Sequence, residues 1–372
     1  MATPMKNGLD TKAIQRITQA FSCLSPEFPC QSFQKKAEAG IRGLALRQRV
    51  DFLTDLLSTC LPEDFSAAAE QLKHIPDHWD PGDEADPLRK FAAWPMIDYA
   101  ARFGLNEPEI SLALLKRLTA LFTAEFAIRP FLIKHTQITL AELSAWCNDP
   151  SPHVRRLVSE GTRPRLPWGQ RLPLFIEDPS PILALLEHLK DDPSDMVRRS
   201  VANNLNDIAK DHPEVVIQRC TDWKADASHH REKIIQHATR TLVKQGHPSV
   251  FKLLGFTENP KILIQELSLN TEKILIGDSI HFSFELVSTK NQNQHFVVDY
   301  AVHYVKANGK TNPKIFKLKN VTLAASGQLP IKKAHSFRPV TTRKLYPGKH
   351  IIEILVNGQP MAQHSFMLLE KP

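Results

Sequence analysis

Apolar residues recur at helical spacing through the first two thirds of the chain. Leu112, Leu114, Leu115, Leu118 and Leu121 make one such run, and Ile182, Leu183, Leu185, Leu186 and Leu189 another. Past Asn259-Pro260 the period changes. Ile280, Phe282, Phe284 and Leu286 alternate with other residues, as do Val298, Tyr300, Val302 and Tyr304, which predicts strands. Turn signals separate these runs at Asn270, Gly277-Asp278, Asn308-Gly309, Gly327, Pro347-Gly348 and Asn357-Gly358. Both Asn-Gly pairs predict type I′ hairpins. The pattern gives an all-α segment over 1–258 and an all-β segment over 259–372. Seven or so short strands fit an immunoglobulin-like sandwich, without the Cys pair or Trp of an antibody domain.

Inside the α segment two stretches nearly copy each other. Asp149-Pro150-Ser151-Pro152-His153-Val154-Arg155-Arg156 returns 43 residues later as Asp192-Pro193-Ser194-Asp195-Met196-Val197-Arg198-Arg199. Units of about 137–171, 180–213 and 214–248 follow, the last two closing on Asp211-His212-Pro213 and Gly246-His247-Pro248. A helix over 231–240 takes the third place. Paired helices at this period predict a HEAT-like α-solenoid. On a helical wheel Val154, Leu157, Val158 and Gly161 share a core face, with Arg156, Glu160 and Arg163 opposite. In the second copy Val201, Leu205 and Ile208 are core, Arg199, Asn203 and Asn206 lie opposite, and Asp207 sits on the shoulder. These stripes are expected to be exposed on the inner, concave surface. Singly, such residues make solvated i,i+4 pairs. Repeated, arginine and asparagine suit phosphate contacts. The candidate nucleic-acid set comprises Arg155, Arg156, Arg163, Arg198, Arg199, Asn203 and Asn204, with Arg240 and Lys244 from the third copy.

Charge adds a second hint. The chain carries a net +7, and from Lys261 onward there are fifteen Lys and Arg against seven Asp and Glu. The first 258 residues are close to neutral. A basic terminal module fits a polyanion partner, or simple solubility. The 27 prolines fall between periodic segments, as in a chain of short helices. Cys23, Cys30, Cys60, Cys147 and Cys220 form no CxxC or zinc-like spacing, so reduced, small, buried thiols are expected. No run of about 18 apolar residues exists to span a membrane. The N-terminus lacks the apolar stretch of a signal peptide, so a cytoplasmic protein is expected. The acidic stretch Asp80-Pro81-Gly82-Asp83-Glu84 reads as a solvated connection. Trp146 reads as core, whereas Trp168 fits either a core plug or a surface that stacks on a base or sugar.

Three separated blocks resemble the AlkC branch of bacterial DNA alkylation-repair proteins, which is related to AlkD. They are Thr123-Ala124-Glu125-Phe126-Ala127-Ile128-Arg129-Pro130-Phe131-Leu132, then His153 through Trp168 with Trp146 before it, then Val197 through Asp207. The β segment resembles the immunoglobulin-like domain carried by some members, at His335-Ser336-Phe337-Arg338-Pro339 and Thr341-Thr342-Arg343-Lys344-Leu345-Tyr346-Pro347-Gly348. The resemblance implies a DNA glycosylase that excises 3-methyladenine and 3-methylcytosine from duplex DNA, without metal or organic cofactor; a monomer is expected. It implies Asp207 as main catalytic carboxylate, Glu160 and Glu125 as its partners, and Trp168 as the aromatic facing the lesion. Arg156 and Arg163 become backbone or active-site arginines. Arg338, Arg343 and Lys344 become candidate DNA contacts of the β module.

The residue types suit that chemistry. A 3-methylated adenine is cationic and already a good leaving group, so the remaining task is to stabilise an oxocarbenium-like sugar and position water. Carboxylates near C1′ do both. The resemblance implies that such an enzyme acts on the exposed nucleotide without enclosing its base. Two other readings stay open: a HEAT scaffold with a β adaptor, and a non-catalytic binder of damaged DNA. Carboxylates among arginines repel phosphate, which favours catalysis over plain binding.

Overall fold

The computed structural model describes residues 4–340 and 343–370; Thr341 and Thr342 of the quoted β motif lie outside them. Sixteen α-helices are found among the described residues: α1 Thr11–Leu24, α2 Cys30–Gly40, α3 Leu46–Ser58, α4 Phe65–Lys73, α5 Trp94–Phe103, α6 Pro108–Leu118, α7 Arg129–Lys134, α8 Thr136–Trp146, α9 Pro152–Gly161, α10 Pro173–Glu177, α11 Ser180–Leu189, α12 Asp195–Ile208, α13 Pro213–Lys224, α14 His229–Ala238, α15 Arg240–Gln245 and α16 Pro248–Leu253. Eight strands follow: β1 Ile262–Leu269, β2 Lys273–Leu275, β3 Ser279–Ser288, β4 Gln294–Val305, β5 Thr311–Leu323, β6 Gln328–Ser336, β7 Gly348–Val356 and β8 Gln359–Leu369. None of the described helices is long and apolar enough to cross a membrane. The chain forms two compact units, Met1–Asp211 with Ala227–Ala238, and His212–Asp226 with Thr239–Pro372. The change from helix to strand thus falls inside the second unit.

In the first unit the duplicated motif is a turn that starts a helix. Asp149 Oδ1 accepts from Ser151 N, and Asp192 Oδ1 from Ser194 N, each at 2.8 Å. The first arginine of each Val-Arg-Arg then pins the turn. Arg155 Nη1 donates to the carbonyls of Asp149 and Pro150 at 2.7 and 3.0 Å. Arg198 Nη1 donates to those of Asp192 and Pro193 at 2.6 and 2.8 Å. Arg155 also forks onto the Asp192 carboxylate at 2.5 and 3.0 Å, which ties one repeat to the next. Polar contacts continue between α9 and α12: Ser159 Oγ donates to Ser200 Oγ at 2.8 Å, and Asn204 Nδ2 donates to Ser159 O at 2.8 Å and Thr162 Oγ1 at 3.0 Å. Val154, Leu157, Val158, Val201, Leu205 and Ile208 are buried, as the wheel predicts. Trp146 is core.

In the second unit the strands form a three-stranded sheet, β1-β3-β6, and a five-stranded sheet, β2-β8-β7-β4-β5. Between them Phe282, Phe284, Phe296, Tyr300, Ile352 and Phe366 belong to the buried core. Asn357 and Gly358 both have positive φ, 46° and 72°, as a type I′ turn requires. At Asn308-Gly309 only the glycine does. Lys306 N donates to Lys310 O and Gly309 N to Lys306 O, so that loop is a wider turn than the sequence predicts. The β7–β8 hairpin lies against Gly246, the left-handed cap of α15. A Cβ on Gly358 would sit 2.2 Å from Gly246 Cα. Asn357 Nδ2 donates to Thr257 O at 3.0 Å, and its Oδ1 accepts from Val297 N at 2.9 Å.

His335 is buried in the sandwich and bonded on both ring nitrogens, Nδ1 to the Tyr300 hydroxyl at 3.0 Å and Nε2 to that of Tyr304 at 2.7 Å. Burial, with the charges of Arg343, Lys333 and Lys314, pushes its pKa down to about 4. The unfolded chain takes up this proton near the ordinary histidine value of about 6.5, the native chain only near 4. Stability is therefore full above about pH 6.5 and is lost as pH falls toward 4, by up to about 3 kcal/mol. Calorimetric melts of wild type and His335→Gln between pH 7 and 4 test this, with a flatter pH profile expected for the variant.

Candidate active site

Four short segments of the first unit supply the site. Glu160 ends α9, Arg163 follows it, Asp207 lies in the last turn of α12, and Glu125 sits in the turn before α7. They form a chain of alternating charge. Arg156 Nη1 lies 2.9 Å from Glu125 Oε2 and donates to Thr123 Oγ1 at 2.9 Å, while Thr123 Oγ1 donates to Glu125 Oε2 at 2.6 Å. Arg163 bridges the other two carboxylates, Nη1 to Glu160 Oε1 at 2.6 Å and Nε to Asp207 Oδ2 at 2.8 Å. Ser200 Oγ donates to Glu160 Oε2 at 2.6 Å, and Lys210 Nζ to Asp207 Oδ1 at 2.7 Å.

The helical wheel groups Arg156, Glu160 and Arg163 correctly, but their expected exposure is overturned. Glu160 is 5% exposed, Arg163 8% and Asp207 1%. The charges pair with one another, and Ser200 of α12 bonds Glu160 from the neighbouring helix. Burial by itself would lower the Arg163 pKa. Hydrogen bonds and charge from Asp207 and Glu160 override it and hold the guanidinium above its ordinary value.

Behind the carboxylates lies Arg129, a residue the site reading missed. It is fully buried. Its Nη1 donates to Gly161 O at 2.8 Å, and its Nε bonds Gln170 O. Among the described residues its Nη2 has no hydrogen-bond partner. Burial and the repulsion of Arg163 lower its pKa to about 10, against the pull of Asp207, Glu125 and Glu160. Arg129 thus joins the end of α9 to the loop that carries Trp168. Gly161 allows the approach, since a Cβ there would meet Ile128 Cγ2 at 2.7 Å. The sequence signal was a lone charge inside the apolar run Ala127-Ile128-Arg129-Pro130-Phe131-Leu132.

Two of the carboxylates, Glu125 and Glu160, line an open cleft of about 290 Å³ with Phe91, Trp94, Phe122, Phe126, Arg163 and Trp168 among others, while Asp207 lies out of it, held by Arg163. Trp94 stacks on Phe126 at 5.6 Å and tilts against Phe122 at 5.3 Å. Trp168 resolves toward the surface: it is 82% exposed. Its φ is +64°. It occupies the third position of a Leu166-Pro167-Trp168-Gly169 turn closed by Gly169 N to Leu166 O at 3.1 Å. With proline second, this fits the type II pattern, whose third position favours glycine. A bulky residue there costs about 1 to 3 kcal/mol. Trp168→Gly is therefore expected to match or exceed the wild-type melting temperature while losing the exposed indole. Thermal melts beside a base-release assay measure both effects.

The other candidates divide. Arg155, Arg198 and Asn204 bond turns and helix ends, as above. Arg156, Arg199 and Asn203 line a polar groove of about 270 Å³ between α9 and α12, with Glu160 and Ser200. Next to it, Arg198, Arg199, His230, Lys233 and His237 line a smaller groove between α12 and α14, and His237 bonds Asn203 Oδ1 at 2.8 Å. His230, Lys233 and His237 were not among the sequence candidates. In the second unit, taken by itself, Arg240 is half-buried and Lys244 exposed on α15. Arg338 and Lys344 are exposed, and the half-buried Arg343 lies 4.2 Å over Tyr304. Cys147 and Cys220 are buried as expected, but Cys23 is exposed and Cys30 and Cys60 are half-buried.

Comparison with known proteins identifies the family. A family model described as "Uncharacterised protein YhaZ, C-terminal Ig-like domain" matches residues 263–370. Uncharacterized protein YhaZ of Bacillus subtilis (strain 168) is 36% identical over 316 residues, which is 85% of this chain and 85% of that one. The solved structure of Pseudomonas fluorescens alkylpurine DNA glycosylase AlkC, bound to DNA containing an abasic site analogue, superposes with a TM-score of 0.91 at 37% identity. That match covers 99% of this chain and all of the other. The chain, helical repeats followed by an immunoglobulin-like sandwich, belongs to the AlkC family that includes YhaZ.

Proposed function

We propose that this protein is a DNA glycosylase that excises small cationic N-alkylated bases, chiefly 3-methyladenine and 3-methylcytosine, from duplex DNA and leaves an abasic site. The observation that carries the reading is an aromatic-walled cleft lined by Glu125, Glu160 and the exposed Trp168, with Asp207 tied to Glu160 through Arg163. The DNA-bound AlkC structure supports the same reading.

The lesion is a cation that departs neutral. As its bond to C1′ lengthens, positive charge moves onto the sugar. Asp207 and Glu160 stabilise that charge, and one of them orients the water that adds to C1′ from the opposite side. Their fixed pairing with Arg163 means that they need not reorganise as the charge develops. Trp168 faces the lesion and stacks against the exposed nucleotide. The open cleft fits an enzyme that leaves the base unenclosed and relies on the lability of the lesion.

The two grooves across α9, α12 and α14 carry the backbone, with Arg156, Arg199, Lys233 and the adjoining histidines meeting successive phosphates. Arg338, Arg343 and Lys344 of the sandwich, with Arg240 and Lys244, add further contacts to the duplex. The reading includes a monomer acting in the cytoplasm. Incubation with methylated duplex and chromatography of the freed bases tests it. Released 3-methyladenine above the spontaneous rate is expected, and its absence would overturn the proposal.

A further inference from the structure

We propose that Lys210 latches Asp207 in the free protein and that a backbone phosphate of bound DNA opens the latch. The inference rests on the glycosylase reading above. Both oxygens of Asp207 are occupied, Oδ2 by Arg163 and Oδ1 by Lys210 at 2.7 Å. A carboxylate between two cations has little net charge left to offer a third, the developing sugar cation. One partner must withdraw before Asp207 can work at full strength.

The surrounding cations differ in their freedom to do so. Arg163 also holds Glu160, and its side chain is 9% exposed, so turning it would uncover two buried carboxylates. Arg165 is forked onto Asp211 at 2.7 and 2.6 Å. Arg129 is fixed to two carbonyls without exposure to solvent. The Lys210 side chain is 39% exposed and reaches Asp207 from three residues away, just beyond the end of α12. An ammonium on a four-carbon stem exchanges one anionic oxygen for another with little geometric demand. Phosphate offers it a charge-assisted bond of comparable strength, and every sugar that reaches Asp207 brings phosphates on both sides.

Lys210 would then move from the carboxylate to the backbone, and Oδ1 would be bare only when DNA is in place. Binding and chemistry become linked through one ammonium. This makes Lys210 a positioning residue for Asp207, distinct from the carboxylates that face the sugar.

The test is a cycle between side chain and phosphate. Duplexes with a single 3-methylcytosine carry a neutral methylphosphonate at one phosphate flanking the lesion, each position in turn. Single-turnover excision is measured with wild type and with Lys210→Met, and Lys210→Gln serves as a second variant. Wild type is expected to slow by about tenfold at one position, within the usual range of coupling between two sites. The Lys210 variants are expected to show no slowing at that position. Equal slowing in wild type and variants overturns the latch, as does no slowing of wild type at any flanking phosphate. A hundredfold loss by both variants on the unmodified backbone also overturns it, because Lys210 would then hold Asp207 in its working state. Failure of wild type to excise from any duplex removes the glycosylase reading itself, a different result from all of these.

Discussion

Asp207→Asn is expected to release methylated bases about 100 to 1,000 times more slowly than wild type, the usual effect of removing one preorganised electrostatic contact to a transition state. The substitution keeps the shape of a residue 1% exposed, removes the charge between Arg163 and Lys210, and turns one of the two oxygens that accept from them into a donor. Because the charge acts on the sugar as it becomes cationic, the loss belongs in the single-turnover rate and not in affinity for intact DNA. Affinity for duplex is expected to hold or to tighten, since a carboxylate beside the backbone repels phosphate. Single-turnover excision and a binding titration on the same duplex separate the two. Weakened binding with an unchanged excision rate would remove Asp207 from the chemistry.

Arg163→Met is expected to cost about 3 to 5 kcal/mol of stability, the range for breaking a buried ion pair by removing one partner. Arg163 serves two carboxylates, at 2.6 and 2.8 Å. Methionine fills much of the volume but leaves Glu160 and Asp207 buried and mutually repelling. Adding Asp207→Asn to Arg163→Met removes one of the stranded charges. The double variant is therefore expected to recover part of the lost melting temperature while staying inactive. Non-additivity of that kind marks residues that share one network. If the two losses simply add, the bridge has no energetic meaning.

The repeat was legible because it is written in residue types at a fixed offset. Its chemistry was only half legible. Arg155 and Arg198 look like nucleic-acid contacts in sequence because both copies keep them, yet both close the Asp-Pro-Ser turn that starts a helix. A wheel gives direction and not cover, so Glu160, Arg163 and Asp207 could be assigned to one side but not to the interior. Their partners come from far along the chain, Asp207 44 residues from Arg163 and Ser200 40 residues from Glu160, at separations no local pattern encodes. Arg129 shows the same limit, since its partners Gly161 and Gln170 lie 32 and 41 residues away. The aromatic wall shows it too: Phe122 and Phe126 sit four residues apart but lie between α6 and α7, where no helical period applies.

The abutment of Gly358 on Gly246 bears on how this protein can be cut and how such a β module can be inherited. The hairpin tip has no room for a side chain there, and Asn357 is bonded to the backbone of Thr257. Gly246 and Thr257 are therefore part of the seat on which the sandwich rests, within a unit that also takes in His212–Asp226. A fragment beginning at residue 260, where helix gives way to strand, would leave that seat behind and bare a backbone surface shaped for it. One beginning at His212 or earlier keeps the whole unit. Transfer of the sandwich between genes faces the same constraint: the transferable piece is longer than its strands, and its border lies among helices.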